Sequence, residues 1–171
     1  MQKIFLFILF ILFAVLPEKA DSKKPTTTEH SIAVSVESEI RENLIAFAKN
    51  YMKTPYRYAS ADPEKGFDCS GFVHFVFKNF YIDVPHSSKA FKSIGRELKP
   101  DEFKVGDVLV FYGYRNSAEI GHVGIICEAY GMNSKFIHSS SGKVKGVIIS
   151  ELDSEMYSRR FYKCVDVIEV K

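Results

Sequence analysis

Apolar positions change their spacing about two-thirds of the way along the chain, and that change predicts the fold. Over residues 37–52, Ile40, Leu44, Ile45, Ala48, Tyr51 and Met52 recur at helical intervals, with Ser35 or Ser38 available as a cap. Thr54-Pro55 ends this helix. Residues 56–66 read as a loop, with Asp62-Pro63 and Gly66 as turn signals. Residues 69–80 carry Phe and Val on several sides and predict a second, buried helix, and residues 87–95 a short third one. From residue 107 onward the runs become short and β-branched or aromatic. Residues 107–112, 121–128, 135–139, 147–150 and 161–170 predict strands separated by polar, Gly-containing loops. Helices followed by about five strands predict an α+β fold with an antiparallel sheet.

The N-terminal pattern differs from both. Residues 4–16 are an unbroken apolar run of thirteen behind Lys3. Crossing a bilayer takes roughly 20 such residues, so the run fits the apolar part of a secretory signal, with Ala20 before the cut. The expected organisation is a signal peptide at 1–20, a polar linker at 21–35 and one domain at 36–171. No membrane anchor is expected once the signal is removed. The destination is the periplasm, or the exterior and cell wall.

Composition narrows the field. The chain has 171 residues, 46% hydrophobic and 26% charged, which suits one folded domain and excludes wholesale disorder. A net charge of +2, without a basic cluster, gives no footprint for nucleic acid. Three cysteines cannot all pair within the chain. Cys127 and Cys164 lie in apolar strands, as packing thiols or as a disulfide pair.

Cys69 differs, because it opens the second helix within Gly66-Phe67-Asp68-Cys69-Ser70-Gly71. A helix N-terminus favours a thiolate, so a lowered pKa is expected there. Strand alternation puts His122 on one face with Gly124 and Ile126, and His138 on one face with Phe136. If the two strands are antiparallel neighbours, the imidazoles meet as a base and the group that orients it. Three N/S groups also resemble a zinc shell, although Cys69 lacks a second ligand close in sequence. His74, five positions along the helix, points away from Cys69, while His86 follows Pro85 in a loop and His30 falls in the polar arm.

With these residues in place, the sequence resembles the NlpC-type family of papain-like bacterial cell-wall cysteine endopeptidases, from about residue 44 to 167. Thr54-Pro55-Tyr56, the segment from Gly66 through Cys69 to Val73, Val84-Pro85, Val105-Gly106-Asp107-Val108, Gly121-His122-Val123-Gly124-Ile125 and Phe136-Ile137-His138-Ser139 match its motifs in order. Tyr58-Ala59-Ser60 stands where the family carries Trp-Gly-Gly. The resemblance implies a papain-like fold with helices on a small sheet. It implies hydrolysis of peptide bonds in peptidoglycan stem peptides, often between D-glutamate and a diamino acid. It also implies Cys69 as nucleophile, His122 as general base, His138 as orienter, and Tyr56, Asp68 and Ser70 as substrate contacts. Neither cofactor nor metal is expected, and the protein is expected to act as a monomer. The alternatives are an amidase of the same fold and a non-catalytic wall-binding module.

Overall fold

The computed structural model describes residues 27–114 and 118–168. The proposed signal peptide and the first part of the linker lie outside the described residues. Helix α1 spans Thr27–Lys49. It begins ten residues before the predicted start and absorbs residues 27–35, which the sequence reading assigned to a flexible arm. Nothing between Thr27 and Lys49 breaks a helix, since the segment holds neither Pro nor Gly. Its early turns are exposed, Ile32 and Val34 included, and only from Ile40 onward does the helix pack on the domain. Among the described residues no helix is long and apolar enough to cross a membrane.

A two-stranded hairpin follows, β1 (Ala61–Asp62) and β2 (Gly66–Phe67). Helix α2 spans Cys69–Lys78. The expected third helix is a 3-10 segment, Ser88–Ser93. The remaining elements are β3 (Arg96–Leu98), β4 (Val108–Tyr112), β5 (Ile120–Glu128), β6 (Lys135–Ser140), β7 (Gly146–Glu151), α3 (Glu155–Ser158) and β8 (Phe161–Asp166). The sheet has six strands in the order β3-β8-β4-β5-β6-β7, each pair antiparallel. Five of them are the predicted strands. The sixth, β3, is short and charged and pairs only at the sheet edge.

Strand alternation divides the core in two. Val108, Val110, Val123, Ile125, Ile137 and Val165 face α1 and α2. Leu109, Phe111, Ile126, Phe136 and Cys164 face the other way, under α3 and the loop before it, with Leu152 and Tyr157 completing the cluster. Cys127 and Cys164 are both buried and free, on opposite faces of the sheet. That separation excludes a disulfide between them and leaves the packing reading.

The core also holds a buried polar cluster. Arg41 of α1 is 3% exposed. It contacts Asp107 at 2.8 Å, Asp166 at 2.7 Å and Glu37 at 2.8 Å, and donates to the Val105 carbonyl at 3.1 Å. Asp107 also accepts the Lys104 backbone N–H at 2.7 Å. Five donors in a fixed fork suit Arg to this task. The cluster ties α1 to the turn entering β4 and to the end of β8. Removing one member of a buried pair leaves the others unpaired, so Arg41→Ala should cost about 3–5 kcal/mol in denaturant unfolding. A loss below about 1 kcal/mol, as for an ordinary surface ion pair, would show that the cluster does not hold α1.

Candidate active site

The strands that carry the two histidines are not paired where the histidines are. The β5–β6 ladder begins at Ile125↔Ile137 and runs toward Glu128. Continued the other way, it would pair Val123 with Ser139. Instead the turn leading into α2 bridges them. The Phe67 carbonyl accepts the Ser139 hydroxyl at 2.7 Å, and the backbone N–H of Val123 comes close enough to the Cys69 sulfur to favour its thiolate. Cys69 is thus set at the mouth of a splayed pair of strands, against Val123, the residue that follows His122.

Local geometry fixes the wedge. Asp68 caps α2, its Oδ1 accepting the Gly71 N–H at 2.7 Å and the Ser70 hydroxyl at 3.0 Å. The Asp68 N–H donates to the Ser60 carbonyl at 2.9 Å. Gly71 touches the same carbonyl, and a Cβ added there would lie 2.1 Å from the Ser60 oxygen. Gly71 is therefore required for this approach, which closes the hairpin over the first turn of α2. Ala59, at φ +52°, takes a left-handed conformation in a segment where the family carries glycines.

His122 and His138 meet on the α3 face of the sheet. His122 Nε2 lies 2.9 Å from His138 Nδ1. Gly124 makes the room, because a Cβ there would come within 2.5 Å of the Phe136 ring and 3.0 Å of the His138 Cβ. His138 Nε2 lies 2.9 Å from Ser150 Oγ and 3.3 Å from the Tyr157 hydroxyl. Phe111 and Tyr157 flank His122, their ring centroids 5.9 Å and 6.2 Å from the imidazole. A relay thus runs from His122 through His138 to two hydroxyls. Ser150 and Tyr157 were not singled out from the sequence. The pairing of Ser150 with Phe136 puts it on the His138 face, a signal that alternation along residues 147–150 already contained.

The electrostatics differ from the expectation for Cys69. Burial, reinforced by the Asp68 carboxylate, raises the thiol to about 11, against the lowering effect of the Val123 and Ser70 N–H groups. Burial also drives His122 well below its ordinary range, aided by His138 and by the charge of Arg160. His138 falls to about 3 for the same first reason. Helix polarity favours a thiolate, but here desolvation outweighs it. Desolvation thus favours the neutral form of the Cys69 thiol and of both imidazoles.

Tyr56 lies against the same turn, its backbone bridged to Phe67, and the charges of Cys69 and Asp68 add to burial in raising its hydroxyl. Ser70 is buried and its hydroxyl is spent on Asp68. The structure thus gathers Tyr56, Asp68, Ser70 and Cys69 around one turn, with His122 and His138 across the wedge. His74 bonds the Val84 carbonyl at 2.8 Å and packs against His86, the ring centroids 3.5 Å apart and the planes tilted by 38°. Among the described residues no group of three His, Cys or acidic side chains is arranged for a metal ion.

The profile of the NlpC/P60 family matches residues 53–166, which include every one of these positions. The chain belongs to the NlpC/P60 family. It is 32% identical over 160 residues to the Escherichia coli protein named "Probable endopeptidase NlpC", covering 92% of this chain and 96% of that protein. It is 32% identical over 133 residues to the "Gamma-DL-glutamyl hydrolase" of Bacillus subtilis, covering 78% of this chain and 30% of that protein. A crystal structure of an NlpC/P60 family protein from Bacillus cereus superposes with a TM-score of 0.66 at 25% identity, over 75% of this chain and 40% of that one. The chain thus spans nearly the whole of one relative and well under half of the other two. The antiparallel sheet with α1 and α2 against one face is the papain-like architecture of this NlpC/P60 domain.

The ionisation state is directly testable. The thiolate absorbance of Cys69, read as the difference between the unmodified protein and Cys69→Ala, should be absent at neutral pH and appear only as pH approaches about 11. A thiolate signal already present at neutral pH would mean that the site rests as an ion pair.

Proposed function

We propose that the chain is an exported cysteine endopeptidase that hydrolyses peptide bonds in the stem peptides of peptidoglycan, at the bond between D-glutamate and the diamino acid. The observation that carries this reading is the wedge, which brings Cys69 against the residue following His122 while His122 is bonded to His138. Two relatives carry endopeptidase and glutamyl hydrolase in their names, which supports the same substrate class.

The geometry suggests a sequence of steps. Substrate binding expels water, and His122 takes the thiol proton as the sulfur attacks the scissile carbonyl. For this, one nitrogen of His122 must be free of a proton. With Nε2–H donating to His138 Nδ1, that nitrogen is Nδ1. His138 then carries its proton on Nε2 and donates to the hydroxyl of Ser150, so the relay holds one tautomer across both rings. The backbone N–H of Cys69, in the unpaired first turn of α2, is a donor for the oxyanion. The C–N bond breaks as the imidazolium gives its proton to the departing amine. Water, deprotonated by His122, then cleaves the thioester and restores the thiol. The reaction written this way uses neither metal nor cofactor.

Asp68 and Tyr56 border the thiol on the α2 side and would receive a free amino terminus of the stem peptide, with Ser70 holding Asp68 in place. The apolar run at residues 4–16 supports export through a signal peptide removed near residue 20.

Mass spectrometry of products from defined muropeptides tests the reading. An endopeptidase releases L-alanyl-D-glutamate ends and new diamino-acid amino termini. Release of the whole stem peptide from the glycan would make the protein an amidase. Binding to the wall without any new end would make it a binding module.

A further inference from the structure

Arg160 stands immediately before β8, on the His122 side of the cleft, and has no part in the proposed acyl transfer. Its Nε donates to the Tyr112 carbonyl at 2.9 Å. Its guanidinium carbon lies 5.8 Å from the centroid of the exposed Tyr114 ring. The main chain pins both neighbours, with Tyr112 N–H donating to the Arg160 carbonyl at 2.8 Å and Arg160 N–H to the Tyr157 carbonyl at 3.1 Å. Tyr112 directly follows Phe111, the register partner of His122. Tyr157, three residues before Arg160, stacks on the His122 ring. The side chain is thus anchored beside the imidazole by one nitrogen, which leaves the terminal fork for another acceptor.

No ion pair among the described residues uses that fork. Arg41, Arg96 and Arg159 all have carboxylate partners, and Arg160 has none. Burial works against its charge, and its positive field is felt by His122, His138 and Cys69. A half-buried guanidinium presented this way matches a carboxylate, which it binds through two parallel N–H donors.

The side of the cleft limits which carboxylate this is. His122 protonates the departing amine, so the leaving residue lies next to the imidazole. Asp68 and Tyr56, on the opposite flank, face the acyl part. We propose that Arg160 binds a carboxylate of the leaving amino acid and so sets specificity on that side of the bond. The inference rests on the endopeptidase reading. The cleft is then polarised, with an acid for the free amine at one end and a cation for the carboxylate at the other.

Two sources could supply this carboxylate: the α-carboxylate of a terminal leaving residue, or the distal carboxylate of a diamino dicarboxylic acid such as diaminopimelate, which lysine lacks. The test compares kcat/KM of the unmodified protein and Arg160→Gln on tripeptides L-Ala-γ-D-Glu-X. X is diaminopimelate or lysine, each with its α-carboxyl free or amidated. The charged bidentate contact predicts a loss of about tenfold or more on substrates bearing the recognised carboxylate. The lysine α-amide, which has neither, should be unaffected. Loss confined to both diaminopimelate peptides identifies the distal group, and loss confined to both free acids identifies the terminal one. Each supports the proposal. An equal loss on all four peptides, or no loss on any, overturns it while leaving the endopeptidase reading intact. Comparing substrates within one variant cancels any change in folded fraction. No turnover of any peptide by the unmodified protein overturns the endopeptidase reading, and this inference with it.

Discussion

The parting of β5 from β6 is the constraint on which the rest of the site depends. Strands that continued their ladder past Ile125 and Ile137 would satisfy their own backbone groups and leave no cleft. In the gap the Phe67 carbonyl accepts the Ser139 side-chain hydroxyl, and the Val123 N–H faces the Cys69 sulfur. Buried polar groups must be paired, so the turn before α2 and the two strands hold one another open. Everything near this turn serves the same end. Asp68 caps the helix, Gly71 admits the Ser60 carbonyl, and Gly124 clears space for His138. The Arg41 cluster acts at longer range, fixing α1 to the sheet beneath α2.

This way of building a site has a chemical cost. A thiol wedged between strands is desolvated, and desolvation raises its pKa more than the first turn of α2 and the Val123 N–H lower it. The same burial suppresses the charge on both imidazoles. In the proposed reaction, proton transfer from Cys69 is driven by the substrate, as attack on the carbonyl moves charge from sulfur toward the oxyanion. In that account the relay through His138 to Ser150 and Tyr157 orients protons and does not store charge.

Much of this was legible in the sequence. The five strand segments were found because apolar and β-branched residues alternate along them, and the same alternation placed His122 and His138 on one face. Cys69 was found because it opens a run rich in Phe and Val that reads as a buried helix. The remainder depends on tertiary contact. The hairpin strands of Ala61–Asp62 and Gly66–Phe67 are too short to show a period. The early start of α1 rests on an exposed, polar stretch in which apolar spacing is silent. Arg41 and Arg160 look like any other basic residues until the fold brings Asp107 and Asp166 to one and His122 to the other. The raised thiol pKa was missed because sequence reveals the helix end beside Cys69 but not how deeply the sulfur is buried.

The most direct test of the central claim is the rate of stem-peptide hydrolysis by Cys69→Ala, measured on protein whose circular dichroism and melting temperature match the unmodified chain. The two remaining cysteines are buried on opposite faces of the sheet and cannot substitute for it. The account predicts that hydrolysis is abolished while the fold is retained. Undiminished turnover by the folded variant would contradict it, and would place the chemistry elsewhere than at the wedge between β5 and β6.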